Sequence, residues 1–429
     1  MIYVVPFFFI LILAGIPIVY GIGLSGMLGL ISGGGFEFLS IVPTRLLAGC
    51  SNYILVSIPL FILCSEFLNR SGMTDKLIDF ALSLVGRFRG GLSHVNIGSS
   101  ILFAGLTGTA VTDTAAIGNI LIPTMKEKGY GAGYCAAVTA ASSVIGPIIP
   151  PSLIMIVYAS MFKEVSVISM FAAGIVPGII VGLALFGISA LISIRRNYPK
   201  EASYSLGQIF KAGKKAIWAL LTPIIILTAI LSGLTTVTEA GGIAALYALV
   251  VGRLVYKSLS LTQIYDSLVN TAVLSGVVFF LIGAANILGW VITYSGLTET
   301  IGNAMISFSP NPIVQLIMVN ILFLVVGMFL DIGPAVVILA PIVTPVMTKL
   351  GFDPLHFAMI MMVNVNIGNA TPPMGMSLMV GSQIAGVPYE TAMKEVTWFL
   401  LAEISALLLI SYVPALTLWV PTLLGLSWG

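Results

Sequence analysis

Residues 105–123 read GLTGTAVTDTAAIGNILIP, with a single carboxylate, Asp113, in their midst. Glycine, threonine and an acid here interrupt a chain that is oily for long distances on both sides. An Asp at the centre of a membrane helix costs roughly 2.5–3.5 kcal/mol on insertion scales. Either this is not a membrane stretch or the polarity has a task.

The surroundings are those of a membrane protein. Of 429 residues, 58% are hydrophobic and 8% charged, against roughly a quarter charged in soluble domains. Apolar runs long enough to cross about 30 Å of hydrocarbon recur around 53–68, over 169–194 and over 397–420. An outer-membrane barrel would show short alternating segments instead. The first apolar stretch lacks a basic leading region and runs straight into further membrane sequence, so it reads as a retained span. Its interruption at Gly15-Ile16-Pro17 leaves open one long tilted span or two short ones. Cys50, Cys64 and Cys135 are isolated, and His94 and His356 lack ligand spacing, which argues against a disulfide framework or a structural metal. A net charge of +2 implies no nucleic-acid partner.

Basic residues set the sidedness. Arg195, Arg196, Lys200, Lys211, Lys214 and Lys215 fall in one short loop beside a single acid, Glu201, which places that loop in the cytoplasm. From this anchor a helix over 216–232 runs outward and one over 240–252 returns to Arg253 and Lys257. Backwards, 169–194 comes in and 134–161 goes out, so Lys126 and Lys128 share the cytoplasmic side with Arg87 and Arg89. The stretch 91–125 must then enter and leave by one face. Its middle, GLTGTA, reads as the tip of a re-entrant hairpin.

The chain also repeats itself. NRSGMTDKLIDFAL (69–82) resembles TYSGLTETIGNAMI (293–306), Asp113 and Pro123 are spaced like Asp331 and Pro341, and Gly129 and Pro150 like Gly351 and Pro372. The offset stays between 218 and 224 over these landmarks, taken in order. Five crossings separate the copies, an odd number, so the second is inverted relative to the first.

Inverted repeats carrying broken helices are the architecture of secondary transporters. Where a helix stops inside the membrane, its freed N–H and C=O groups are tolerable only if they line a cavity or coordinate something. Glycine allows the turn, Pro-Pro forbids continuation, and the hydroxyls of Thr107, Thr109, Ser152 and Thr371 add oxygens. Asp113 and Asp331 together carry about 5–7 kcal/mol of insertion cost, which either a bound sodium ion or an N-cap on a broken helix would offset. Asn364, Asn366 and Asn369 either line a polar path or satisfy the break. Met359, Met361 and Met362 read as adaptable packing, and Glu239 as part of a capping box with Thr236 or Thr235. No phosphate loop, HExxH or GxSxG motif occurs. A channel or an intramembrane hydrolase stands as the rival from another class, and a stand-alone ion-coupled carboxylate transporter as the nearer one.

HVNIGSSILFAGLTGTAVTDTAAIGNILIPTMKEKGY (94–130), VTAASSVIGPIIPPS (138–152), LTTVTEAGGIAALYAL (234–249), GMFLDIGPAVVILAPIVTPV (327–346) and GNATPPMG (368–375) together resemble the large membrane subunit of tripartite ATP-independent periplasmic (TRAP) transporters. The resemblance runs from about residue 10 to beyond 400. It implies an all-α polytopic protein of the bacterial inner membrane, an inverted-repeat elevator with two re-entrant hairpins, importing an organic acid with sodium. It also implies two partners, a small four-helix membrane subunit and a periplasmic substrate-binding protein. On that pattern, 1–90 holds scaffold and arm helices, 91–165 the first hairpin and broken helix, 166–312 scaffold helices with the basic loop 195–215 and the second arm, 313–385 the second hairpin and broken helix, and 386–429 a C-terminal helix.

Carried over by position, Thr107, Gly108, Thr109 and Asp113 would face Gly146–Ser152, including Pro150, around one sodium ion. Gly327, Asp331 and Gly333 would face Gly368 and Thr371 around another. Thr109, Ser152, Asn366, Asn369 and Pro372 would meet the substrate. Many relatives carry Ser-Gly-Ser or Ser-Gly-Thr where this chain has Thr107-Gly108-Thr109; the hydroxyls survive. The stretch TAASSVIGPIIPPS is most similar to sialic acid importers. No arginine falls at midplane depth, so the resemblance leaves a helix N-terminus to hold the substrate carboxylate.

Overall fold

The computed structural model describes residues 3–105, 108–201 and 204–426. Among them there is no β-strand. The chain begins with α1 (Val4–Leu13), α2 (Ile18–Gly34) and α3 (Ile41–Cys50), then forms α4 (Ser57–Arg70) and α5 (Met73–Val85). Two helices, α6 (Gly91–Phe103) and α7 (Ala110–Glu127), make the first hairpin, and α8 (Ala132–Ser143) and α9 (Leu153–Met161) the first broken helix. The connecting spans are α10 (Val167–Arg195), α11 (Leu206–Leu231) and α12 (Val237–Val250), the last prolonged by a π turn over Val251–Val255. The second copy comprises α13 (Leu261–Tyr294), α14 (Leu297–Phe308), the hairpin α15 (Pro312–Phe329) and α16 (Ile332–Lys349), the broken pair α17 (Pro354–Ala370) and α18 (Met376–Ala385), then α19 (Tyr389–Tyr412) and α20 (Ala415–Leu423).

The repeat seen in the letters is a repeat of backbone. Gly72 and Gly296 adopt the same left-handed conformation (φ 67° and 65°) before α5 and α14, and Gly129 and Gly351 do so (φ 87° and 91°) before α8 and α17. Both Pro-Pro pairs, Pro150–Pro151 and Pro372–Pro373, contain a cis peptide bond. With 13 residues, α6 reaches only about 20 Å at 1.5 Å per residue, too short to cross the hydrocarbon.

Of the two readings of the N-terminal apolar stretch, the structure has two helices, because Gly15 turns left-handed and Pro17 caps α2. Two details differ from the expectation. The C-terminal segment bends by 59° between α19 and α20, where Pro414 cannot continue the preceding helix. Lys211, Lys214 and Lys215 belong to the first turns of α11 and not to a loop, because Ser205 and Gln208 close a capping box upstream of them. All three are exposed.

Hydrogen bonds join the basic segments that the charge pattern groups together. Gly90 N–H donates to Pro199 O (3.0 Å) and Glu201 N–H to Gly86 O (3.1 Å), joining the Arg87/Arg89 turn to the basic segment after α10. Ser258 Oγ–H donates to Ser71 O (2.7 Å), so the C-terminus of α4 lies on the same face as Lys257. Asn52 Nδ2–H donates to Ser160 O (3.0 Å), tying the start of the first copy to the outer end of α9.

The copies interlock. The helix after each break packs on the other copy's hairpin: α9 on α16, and α18 on α7 and α8. Tyr158 of α9 meets Thr344 of α16 at 3.0 Å, and Lys126 of α7 donates to Ala385 O at the end of α18 (2.7 Å). Small residues allow the close approach: a Cβ on Gly381 would stand 2.9 Å from Ala136 O. Within the first copy, Asn96 donates to Thr139 (2.7 Å), Ser142 to Asn96 (2.9 Å) and Thr114 to Ser143 (2.7 Å), stitching α6, α7 and α8. In the second, α15 and α17 touch backbone to backbone, since a Cβ on Gly327 would lie 2.7 Å from Val365 O. Gly327→Ala should therefore push the two helices apart and lower stability by about 1–3 kcal/mol. An unchanged thermal midpoint of the purified protein would refute the contact.

Candidate functional site

At the first break, the hairpin tip rests on the proline pair. Gly105 and Gly108 are both left-handed (φ 78° and 81°), and a Cβ on either would strike Pro151 Cδ at 2.3 Å or Leu153 Cδ1 at 2.5 Å. Only glycine fits both the backbone and the space. Thr109 caps α7, its hydroxyl accepting from Thr112 N–H (3.3 Å) and lying 2.9 Å from Thr112 Oγ1. Asp113 is fully buried in the first turn of α7. Its Oδ2 lies so close to Gly146 that a Cβ there would sit 1.8 Å away. Ser152 precedes α9 with its hydroxyl buried and without a hydrogen-bond partner. Glycines of α10 back the break: a Cβ on Gly174 would stand 2.5 Å from Ile148 O. Thr107 lies outside the described residues.

The second break is built differently. Asp331 is itself the cap of α16, accepting from its neighbour Ile332 N–H (2.9 Å) and from Asn369 Nδ2–H (2.8 Å). Asp113 is not a cap, although the spacing to Pro123 and Pro341 makes the two acids equivalent. The reason is the tip: left-handed Gly105 and Gly108 open the first one and α7 begins before Asp113, whereas α15 continues to Phe329 and only Leu330 and Asp331 stand outside helix. Thr371 N–H donates to Gly368 O (2.8 Å) and its hydroxyl to Ile367 O (2.6 Å). Gly375 N–H reaches across to Met328 O (3.2 Å), docking the break on the hairpin. Gly333 stands in open space and Pro372 is partly exposed.

The asparagines divide. Asn364 donates to Asn320 (2.7 Å) and Asn320 to Ser411 (3.4 Å), a chain binding α17, α15 and α19. Asn369 holds Asp331, while Asn366 bonds back to Met362 O (2.8 Å). The side-chain oxygens of Asn366 and Asn369 and the hydroxyl of Ser377 are buried with no partner. Each carboxylate thus gathers neighbours from its own copy, and no hydrogen bond among the described residues joins the half-sites directly. Both present oxygen donors alone, the set that suits a hard cation. Elsewhere, the Thr236–Glu239 capping box forms, and both ring nitrogens of His356 are satisfied by Thr417 (2.7 Å) and Ser411 O (3.2 Å).

Two residues escaped the sequence reading. Arg45 of α3 lines a cavity of about 750 Å³ with Asn52, Ser160, Asn286 and Thr293, bounded by Pro341 and Pro345 of α16. The Arg45 guanidinium lies 5.4 Å from the centre of the Trp290 ring. Nothing in the sequence brings Arg45 to α16, which is nearly three hundred residues away. Glu403 lies in the middle of α19, fully buried, with neither carboxylate oxygen hydrogen-bonded; an acid in the oily stretch WFLLAEISALLL was the available signal. A buried carboxyl group without a hydrogen bond is costly. Glu403→Leu should therefore leave the thermal midpoint unchanged or raise it, and a fall of several degrees would reveal a partner for the acid.

The chain matches the model of the family described as tripartite ATP-independent periplasmic transporter, DctM component, over residues 5–416. It is 34% identical over 385 residues to the sialic acid TRAP transporter large permease protein SiaM of Vibrio cholerae, covering 90% of each chain. It is equally 34% identical over 435 residues to the C4-dicarboxylate TRAP transporter large permease protein DctM of the same organism, covering 96% of each. Among solved structures, the YdaH transporter of Alcanivorax borkumensis shares the fold, with a TM-score of 0.61 over 90% of both chains at 14% identity. Matched over nearly its whole length, the chain belongs to the DctM component family of TRAP transporters: it is a large permease subunit, a multi-pass membrane transport protein and not an enzyme.

Proposed function

We propose that this subunit imports an organic acid across the bacterial inner membrane, coupled to sodium. The observation that carries the reading is the surplus of buried oxygen acceptors at both breaks: Ser152 Oγ at the first, Asn366 Oδ1, Asn369 Oδ1 and Ser377 Oγ at the second. In hydrocarbon an unmatched polar group costs several kcal/mol, and a bound cation offsets that cost. In this reading Gly108, Thr109, Asp113, Gly146 and Pro150 shape one sodium site, together with Thr107. Asp331, Gly333 and Thr371 shape the other, with Gly327 and Gly368 letting the helices close around it.

The substrate class follows from two lines. The relatives named for sialic acid and for C4-dicarboxylates, equally similar to this chain, are named for carboxylates of different size. Arg45 supplies a cation in the outward cavity, where a carboxylate would first be met. Thr109, Ser152, Asn366, Asn369 and Pro372 then stand near the breaks as further contacts, and sialic acid is the specific substrate proposed. Movement would be that of an elevator, the two hairpins and broken helices travelling as the interlocked unit they form. A periplasmic binding protein would deliver the acid, and a small four-helix membrane subunit would complete the transporter.

Reconstituted with both partners, the transporter should take up labelled sialic acid only with an inward sodium gradient and the binding protein. Asp331→Ala should remove sodium-driven uptake while the protein stays folded, since losing a cap costs only about 0.5–2 kcal/mol. Undiminished uptake would dismiss Asp331 as an ion ligand, and equal uptake without the binding protein would favour a stand-alone carrier. Arg45→Gln should raise KM by about tenfold or more, the effect of losing one charge-assisted contact. An unchanged KM would take Arg45 out of the substrate path.

A further inference from the structure

A second cavity, unrelated to the breaks, lies at the cytoplasmic face. Arg87 and Arg89, from the turn between α5 and α6, and Lys200, from the segment after α10, line a hollow of about 430 Å³. No carboxylate lines it, and among the described residues none of these three cations forms an ion pair. The adjacent acid, Glu201, is engaged instead by Lys128 at 3.2 Å. His94 of α6 lines the same hollow at 5% exposure. The rest of the wall is apolar, with Phe88 and Phe186 flanking the imidazole at 6.4 and 5.8 Å between ring centres.

Three exposed cations border one hollow, beside the buried ring of His94, and no acid among the described residues lines it. The apolar wall continues along the bilayer-facing side of α10, where Leu191 and Ile194 are 57% and 58% exposed. An anion with a long apolar tail matches both parts, whereas an acidic peptide would have nothing to lay on that wall. We propose that this cavity holds an anionic phospholipid of the cytoplasmic leaflet, its phosphate among Arg87, Arg89 and Lys200 and its acyl chains along α10. Such a lipid touches α5, the first hairpin helix α6 and α10 at once.

Native mass spectrometry of the full chain, delipidated and titrated with phosphatidylglycerol or with phosphatidylcholine of the same chains, tests the assignment. Phosphatidylglycerol should bind preferentially, and glycerol phosphate should not displace it. Arg87→Gln with Lys200→Gln, which leaves the hydrogen bond from Arg89 to Asn197 intact, should weaken phosphatidylglycerol binding about thirtyfold, the effect of removing two surface cations. Lys211→Gln with Lys214→Gln, an equal loss of charge on the same face, should bind as the unaltered chain does. If the first pair fails to fold, Ile194→Glu sets a carboxylate in the wall and should give the same loss. Equal binding of both lipids, an equal loss in the control, or full binding by Ile194→Glu would overturn the proposal. Displacement by glycerol phosphate would assign the site to a soluble phosphate, and protection of the cavity by another subunit in the assembled transporter would assign it to a protein partner.

Discussion

Inside a lipid bilayer every backbone donor and acceptor must find its partner within the protein. A helix that breaks there exposes groups that water cannot reach, so each break must be docked against something that satisfies it or left facing a ligand. This molecule breaks twice, after α8 and after α17, and its architecture follows from that. Each break lies against its own copy's hairpin: Gly105 and Gly108 close on Pro151 and Leu153, and Gly375 bonds to Met328 O. Each continues into a helix that packs on the opposite hairpin. The unit so formed is joined in both directions and has few ways to come apart.

The same constraint explains why the half-sites differ. In the first, the turn is opened by glycines and the carboxylate is set deep, against Gly146. In the second, the carboxylate performs the capping itself and is steadied by Asn369. The acceptors left over, mostly amide and hydroxyl oxygens around the second break, are what a small cation would find. Glu403 stands apart from both: a lone acid in a helix that packs on α8, α10 and α17.

Much was legible in the letters because membrane physics restricts the options. Charge asymmetry implied the sidedness, and hydrogen bonds between 86–90 and 199–201 join the basic segments it had grouped. Four landmarks in one order revealed the copies, since positive-φ glycines and proline pairs cannot be replaced freely. The roles of the asparagines were not legible. Asn364 and Asn369 are five residues apart on one helix, yet one belongs to a structural chain through Asn320 and the other to Asp331. Which face of α17 meets which neighbour is set by helices from other parts of the chain.

The sequence by itself determined the class, the central spans, the repeat and the two places where its helices break. These depend on local properties: hydrophobic length, loop charge, and the backbone limits of glycine and proline. Tertiary structure alone decided that Asp113 sits within a helix while Asp331 caps one, that Arg45 faces the prolines of α16, and that Arg87 and Lys200 share one cavity. Those facts depend on contacts between segments distant in the chain, where close packing and the satisfaction of buried polar groups select the arrangement.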